Sequence, residues 1–87
     1  MENTNEELQR IGAELAELRR ERGLTLRALS AQCGIANENI SRIEKGRYNP
    51  SVAVLSKVLH ALGARLTVEK YTLPSDKVSA MPSPIDA

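Results

Sequence analysis

The apolar residues near the start of the chain recur at helical spacing. They lie three or four residues apart, which places their side chains on one face of an α-helix. The residues of this face are Leu8, Ile11, Leu15 and Leu18. Gly23 follows them, and glycine readily adopts the left-handed conformation in which many helices end. The pattern therefore predicts a first helix over about residues 5–22.

A second, shorter helical pattern begins after Thr25. The Thr25 hydroxyl can accept a hydrogen bond from a backbone amide at the start of a helix. Leu26, Leu29 and Cys33 form the inner face of this pattern, and Gly34 can end it. The sequence predicts a helix of about two turns here.

The third helical pattern contains little apolar surface. A helix is predicted over about residues 37–45, ending before Gly46, and its only strong apolar anchors are Ile40 and Ile43. Two anchors attach a helix to a core but leave its other faces uncovered. Most of the third helix must therefore face solvent or a partner.

A fourth helical pattern opens at Pro50 and Ser51 and closes at Gly63. Its apolar stripe has the width of a core-facing helix surface. The stripe consists of Val54, Leu55, Val58, Leu59 and Leu62. These side chains are expected to complete the core.

The pattern changes over residues 64–71, where Leu66 and Val68 alternate with polar residues in the period of a strand. A helical domain offers no sheet to pair with, and a strand needs partners for its backbone groups. We expect this strand to pair with that of a second chain, with Leu66 and Val68 as dimerisation residues. Residues 72–87 are rich in Pro and Ser and predict a flexible tail. Residues 1–63 are then one domain.

Composition supports packed helices. The 87 residues include no Phe or Trp and only two Tyr, so Leu, Ile, Val and Ala must fill one modest core. This composition suits an all-α fold better than an aromatic-rich sheet. The acidic N-terminus differs from a signal peptide, and no segment approaches the roughly 20 apolar residues of a membrane span. We expect a cytoplasmic protein with no membrane association.

Charge is unevenly distributed along the chain, although the net charge is only +1. Residues 1–18 contain five Glu and one Arg, a balance of −4, and residues 66–87 have a balance of −1. Residues 19–65 contain nine Lys and Arg against three Glu, a balance of +6. A basic centre between acidic ends indicates a surface that binds a polyanion, and the alternative is an ordinary solvated helical surface.

The sequence contains no recognisable combination of catalytic or metal-binding residues. Cys33 is the single cysteine and His60 the single histidine, so we find neither a metal site nor a nucleophile with a base. Cys33 on the inner face of its helix is interpreted as a small buried hydrophobe and His60 as a surface residue. We expect no enzymatic activity, no metal and no cofactor.

The second and third helices, joined by a tight turn at Gly34, form a helix-turn-helix. In this motif the first helix crosses the nucleic-acid backbone and the second lies in the major groove. The third helix offers Asn, Glu, Ser and Arg side chains, which can bond to more than one kind of base. The candidate base-contacting residues are Asn37, Glu38, Ser41 and Arg42. The alternative is that these residues form a solvated face.

Residues 18–63, from "LRRERGLTLRALSAQCG" to "LHALG", resemble the Cro and phage-repressor family, also called the XRE family. The matching positions include Gly23-Leu24-Thr25, Ile40-Ser41, Ile43-Glu44 and Pro50-Ser51. The resemblance implies a bundle of four or five helices that binds operator DNA, usually as a dimer. It therefore implies a transcriptional regulator, in the sense of a repressor, that reads a near-palindromic double-stranded DNA operator.

The resemblance also implies roles for individual residues. Asn37, Glu38, Ser41 and Arg42 match the family's base-reading positions, and Arg19 and Glu44 match a buried ion pair between the first helix and the recognition helix. The positions that match phosphate contacts are Thr25, Lys45, Arg47 and Asn49. An ordinary surface acid is the alternative for Glu44.

Two positions depart from the family pattern. Leu26 stands where the family commonly has a Gln that contacts a phosphate, and Arg27 can take over that contact. Ala36 stands where a Ser or Thr commonly caps the recognition helix, and Asn37 can cap it if the helix starts one residue later.

The segment "ALGARLTVEK" is similar to antitoxins of the HipB kind, in which a short strand after the last helix pairs with its twin. This similarity implies a cognate toxin, of a kinase-like kind, as a further partner. The alternative function is a protein-interaction module that has the same fold without specific DNA binding.

Overall fold

The computed structural model describes residues 4–73. Within this range the chain forms four helices and no strand, which confirms the prediction of an all-α fold. Each helix begins and ends close to its predicted bounds. The helices are α1 (Thr4–Glu21), α2 (Leu26–Cys33), α3 (Asn37–Glu44) and α4 (Val52–Ala61).

The helix ends differ in how their backbone groups are satisfied. Thr25 caps α2, since its Oγ1 accepts from the Ala28 amide at 3.0 Å. Ser51 caps α4 by accepting from the Val54 amide at 3.1 Å. The position before α3 is Ala36, and no side chain caps this helix. Asn37 is the first residue of α3, so the alternative that Asn37 acts as its cap is wrong.

The core lies where the four helices meet, and each helix contributes buried apolar side chains. Those with almost no exposed surface are Leu15, Leu29, Ile40, Ile43 and Val58. Cys33 is half-buried and packs against this core as a free thiol, in agreement with its interpretation as a small hydrophobe. The fully buried side chains are therefore leucine, isoleucine and valine, with no aromatic ring among them.

Helix α3 is in contact with two other helices, α1 and α2. α1 packs on α3, while α2 packs on α3 and α4. Gly34 has a φ of 77°, which is the left-handed conformation predicted for the turn between α2 and α3. Arg22 at the end of α1 donates from Nε to the Leu62 carbonyl at 3.1 Å and connects α1 to the end of α4.

Residues 64–73 form neither a helix nor a strand in the single chain. The predicted strand 64–71 is not present as a strand in the single chain, and nothing in this structure tests whether it pairs with a second chain. Pairing between chains therefore stays a prediction. Most of the predicted flexible tail, residues 74–87, lies outside the described residues.

Candidate nucleic-acid interface

The α2–turn–α3 unit presents one face of α3 outward. Ile40 and Ile43 are 0% and 2% exposed and anchor α3 to the core. The polar residues predicted to contact bases are half-buried or exposed, and Arg42 and Glu38 are the exposed pair among them. Burial of one face and exposure of the other is the arrangement that a groove-reading helix needs.

The outward face of α3 lines an open groove with a volume of about 700 Å³. This groove brings together all four side chains predicted to contact bases, namely Asn37, Glu38, Ser41 and Arg42. The remaining residues that line it are Leu26, Lys45, Arg47 and Tyr48. We call this set of eight residues the α3 groove.

The α3 groove is cationic. Three of its side chains are positively charged and one, Glu38, is negatively charged. Arg42, Lys45 and Arg47 are all exposed, so their charges are available to a polyanion. Lys45 and Arg47 were predicted to contact phosphate and follow directly after α3.

Three of the predicted phosphate-contacting residues do not line the groove. Thr25, Arg27 and Asn49 are exposed and lie outside it. The Oγ1 atom of Thr25 accepts a hydrogen bond as the cap of α2, but its hydroxyl hydrogen can still donate to an anion. Their proposed role is therefore at the edge of the interface.

Two residues of the groove, Leu26 and Tyr48, are not among the predicted DNA-contacting residues. Tyr48 is half-buried, packs against the core and also lines the groove, so its ring spans the two environments. Leu26, which was predicted to point inward, packs against the core and lines the groove as well. The available signal for Tyr48 was its place next to Arg47 in the loop after the recognition helix.

Arg19 and Glu44 form an ion pair between α1 and the end of α3. The Arg19 Nε atom donates to Glu44 Oε2 at 2.7 Å, and Nη2 donates to Oε1 at 3.1 Å. The two side chains are 13% and 9% exposed, so water screens this two-pronged pair only weakly. The hydrogen bond to Glu44 raises the pKa of Arg19 above its ordinary value.

Not every cation of the basic central segment is available to a partner. Arg19 also donates from Nη1 to the Leu24 carbonyl at 2.8 Å, and Arg22 donates to the Leu62 carbonyl. Arg19 is therefore largely shielded, whereas Arg22 is held by one carbonyl contact but stays exposed. The exposed positive charge of this segment lies at the α3 groove and at Arg20, Arg22, Arg27, Lys57 and Arg65.

Neither a metal-binding cluster nor a membrane-spanning helix is found over residues 4–73. No group of three His, Cys, Asp or Glu side chains that could bind a metal is found there. In the same part of the chain, no helix has the length and apolar character needed to cross a bilayer.

A family model described as helix-turn-helix, HTH_3, matches residues 15–68. The chain is 42% identical over 53 residues to an uncharacterised HTH-type transcriptional regulator, y4dJ, of Sinorhizobium fredii. That match covers 61% of this chain and 69% of the relative. The matches confirm the resemblance found at residues 18–63.

Two solved structures are similar to the chain in both fold and sequence. The clp gene regulator ClgR from Corynebacterium glutamicum superimposes with a TM-score of 0.65 at 36% identity, over 68% of this chain and 76% of that one. A chain of a toxin–antitoxin module from Streptococcus pneumoniae gives a TM-score of 0.61 at 32% identity, over 76% and 73%.

Proposed function

The chain belongs to the helix-turn-helix family HTH_3, and we propose that it is a sequence-specific DNA-binding transcriptional regulator that acts as a repressor in the cytoplasm. The observation that carries this proposal is the α3 groove. It combines four base-competent side chains with three cations on the exposed face of the recognition helix. A site of this kind can read base edges and neutralise phosphates at the same time.

Each side chain of the groove has a distinct role in this proposal. Arg42 bridges the O6 and N7 acceptors of a guanine, and Asn37 bridges an adenine. Glu38 accepts from a cytosine amino group, while Ser41 can bond to either kind of edge. Lys45 and Arg47 bind phosphates at the end of α3, and Thr25, Arg27 and Asn49 extend these contacts along the DNA backbone.

We further propose that the regulator acts as a two-fold homodimer. Val68 and Tyr71 are 96% and 77% exposed, and Leu66 is 40% exposed. Exposed apolar side chains on a segment that forms no strand within residues 4–73 support pairing of residues 64–71 with the twin segment. A dimer would place two recognition helices about 34 Å apart, at successive major grooves of a near-palindromic operator.

Selection of bound sequences from a random duplex pool tests the proposed DNA reading. We expect an enriched near-palindromic site, and salt-sensitive binding to random duplex at low salt. The absence of both would contradict the proposal and favour a protein-interaction module. The same selection with Arg42→Ala should show a relaxed preference at one base pair. Lys57→Ala is its matched control, because it removes an exposed positive charge outside the α3 groove.

Two truncations test the dimer. Removal of residues 64–87 should weaken dimerisation and operator affinity together, because it removes the pairing segment. Removal of residues 73–87 should leave both nearly unchanged. Sedimentation measures the association of both forms, and a strong dimer without residues 64–71 would contradict the strand-paired interface.

A second candidate function is the antitoxin of a toxin–antitoxin pair. The supporting observation is the similarity to a chain of the Streptococcus pneumoniae toxin–antitoxin module. Such a protein would bind a cognate toxin in addition to its operator. Co-expression with the product of a gene next to its own tests this function: rescue of growth from a toxic neighbour supports it, and the absence of any toxic neighbour contradicts it.

A further inference from the structure

Gly12 lies in the interior of α1, where glycine is an unfavourable residue. Glycine has the lowest helix propensity of any residue apart from proline. Gly12 also lacks a positive φ, the backbone conformation that glycine tolerates better than other residues. Backbone conformation therefore does not explain this glycine. It is buried, so the explanation must lie in its contacts.

The missing side chain of Gly12 allows α1 to approach the backbone at the end of α3. A Cβ atom built at Gly12 would overlap the Ile43 carbonyl oxygen. It would also lie 2.7 Å from the Glu44 carbonyl oxygen and 2.9 Å from its carbon. These neighbours are backbone atoms, which cannot rotate away as a flexible side chain can.

A second close approach lies one turn earlier on the same face of α1. A Cβ atom at Gly46 would lie 2.7 Å from the Gln9 Cγ atom and 2.9 Å from its Cα atom. Gly46 lies two residues after the end of α3, so α1 contacts both the last turn of α3 and the turn after it. Two turns later on α1, Arg19 binds the carboxylate of Glu44. Glu44 therefore meets α1 through its backbone at Gly12 and through its side chain at Arg19.

We propose that Gly12 is a positioning residue for DNA recognition, because it sets the depth at which the C-terminal half of α3 lies against α1. This inference rests on the proposed function. A methyl group at residue 12 would push the Ile43 and Glu44 backbone away from α1. Arg42 lies in this end of α3, Lys45 and Arg47 follow it, and all three line the groove, so they would move with it. Asn37 lies at the other end of α3 and would move less.

The geometry gives Gly12→Ala a specific signature. The affinity for the selected operator should fall by about tenfold or more, as overpacking against backbone displaces α3. Base preference should change most at the position contacted by Arg42 and least at that contacted by Asn37. A residue with a purely structural role would lower stability without changing the order of preferred bases.

Ala13→Gly is the matched control. Ala13 is the neighbouring residue of α1 and is exposed, so this change lowers helix propensity without touching α3. It should lower the unfolding temperature but leave the ratio of operator affinity to random-duplex affinity unchanged. Both variants are compared with the full-length wild type below their unfolding temperatures, by circular dichroism and by titration of each duplex.

The outcomes separate the two proposals. A wild type that selects no operator contradicts the proposed function, whereas a folded Gly12→Ala with the wild-type profile overturns only the role of Gly12. If Gly12→Ala is unfolded in dilute buffer, it is measured in trimethylamine N-oxide, which favours folded states. A variant that stays unfolded there also overturns the proposal, because Gly12 would then maintain the fold rather than the position of α3.

Discussion

Helices α3 and α4 are both short and both contribute to the core, but they are stabilised in different ways. α4 buries Leu55, Val58 and Leu59 and has a capped start at Ser51. α3 buries only Ile40 and Ile43, and no side chain caps its start. The recognition helix therefore has less apolar attachment and a less satisfied N-terminus than the helix that completes the core.

The difference shows how a helix can leave one face free for DNA. A wider apolar stripe on α3 would replace residues of the α3 groove. Its attachment instead includes the ion pair with Arg19 and the close backbone contact at Gly12, both at its C-terminal end. Polar and backbone contacts with α1 thus compensate for the narrow apolar stripe.

The largest expected effect comes from removal of the ion pair. Glu44→Ala should lower the free energy of unfolding by roughly 3 kcal/mol. The nearly buried guanidinium of Arg19 would then lack its carboxylate partner. Urea denaturation measures the loss, and Glu17→Ala, an exposed change on α1, is the control. An unchanged midpoint for Glu44→Ala would show that the pair does not stabilise α3. Arg19→Met combined with Glu44→Leu should recover part of the loss.

The next effect concerns the exposed face of α3. Arg42→Ala should cost about 1 to 3 kcal/mol of operator binding and relax the preference at one base pair, because a bidentate contact to guanine is lost. Arg47→Ala should weaken binding to all sequences alike and lower the salt slope by about one unit, because a phosphate contact carries no base information. Titrations over a salt series with operator and random duplex separate the two, and identical sequence profiles for wild type and Arg42→Ala would contradict the base contact.

The smallest effects concern the helix caps. Ser51→Ala should destabilise the protein by about 1 kcal/mol, since the Val54 amide loses its acceptor. Ala36→Ser should stabilise it by up to about 1 kcal/mol, because the ψ of 140° at Ala36 is near the 162° at Ser51. Thermal unfolding of both variants measures the two changes. Equal stability of all three proteins would show that capping does not distinguish α3 from α4.

Much of the fold could be predicted because it depends on local patterns. The spacing of Leu15 and Leu18 in α1, the cap at Thr25 and the turn at Gly34 each involve neighbours along the chain, and each is present in the structure. The polar face of α3 was predictable for the same reason. With Ile40 and Ile43 turned inward, helical periodicity places the four base-competent residues elsewhere on the helix.

Other features depend on residues far apart in the sequence. Leu26 and Tyr48 enter the α3 groove from different segments, and their double role as core and groove residues has no local pattern. Arg19 counts toward the positive charge of the central segment, yet its side chain is 13% exposed and is paired with Glu44, 25 residues away. Composition gives the number of cations in a segment but does not show which of them are shielded by the fold.

The sequence by itself determined the four helices, the helix-turn-helix and the polar character of α3, because helical periodicity and turn residues act over a few positions. Only the tertiary structure decided how closely α3 packs against α1. This close packing depends on the contact between Gly12 and the backbone carbonyl groups of Ile43 and Glu44. A glycine in a helix adds nothing to the pattern of apolar and polar side chains. Its packing role can therefore be recognised only when the position of the neighbouring backbone is known.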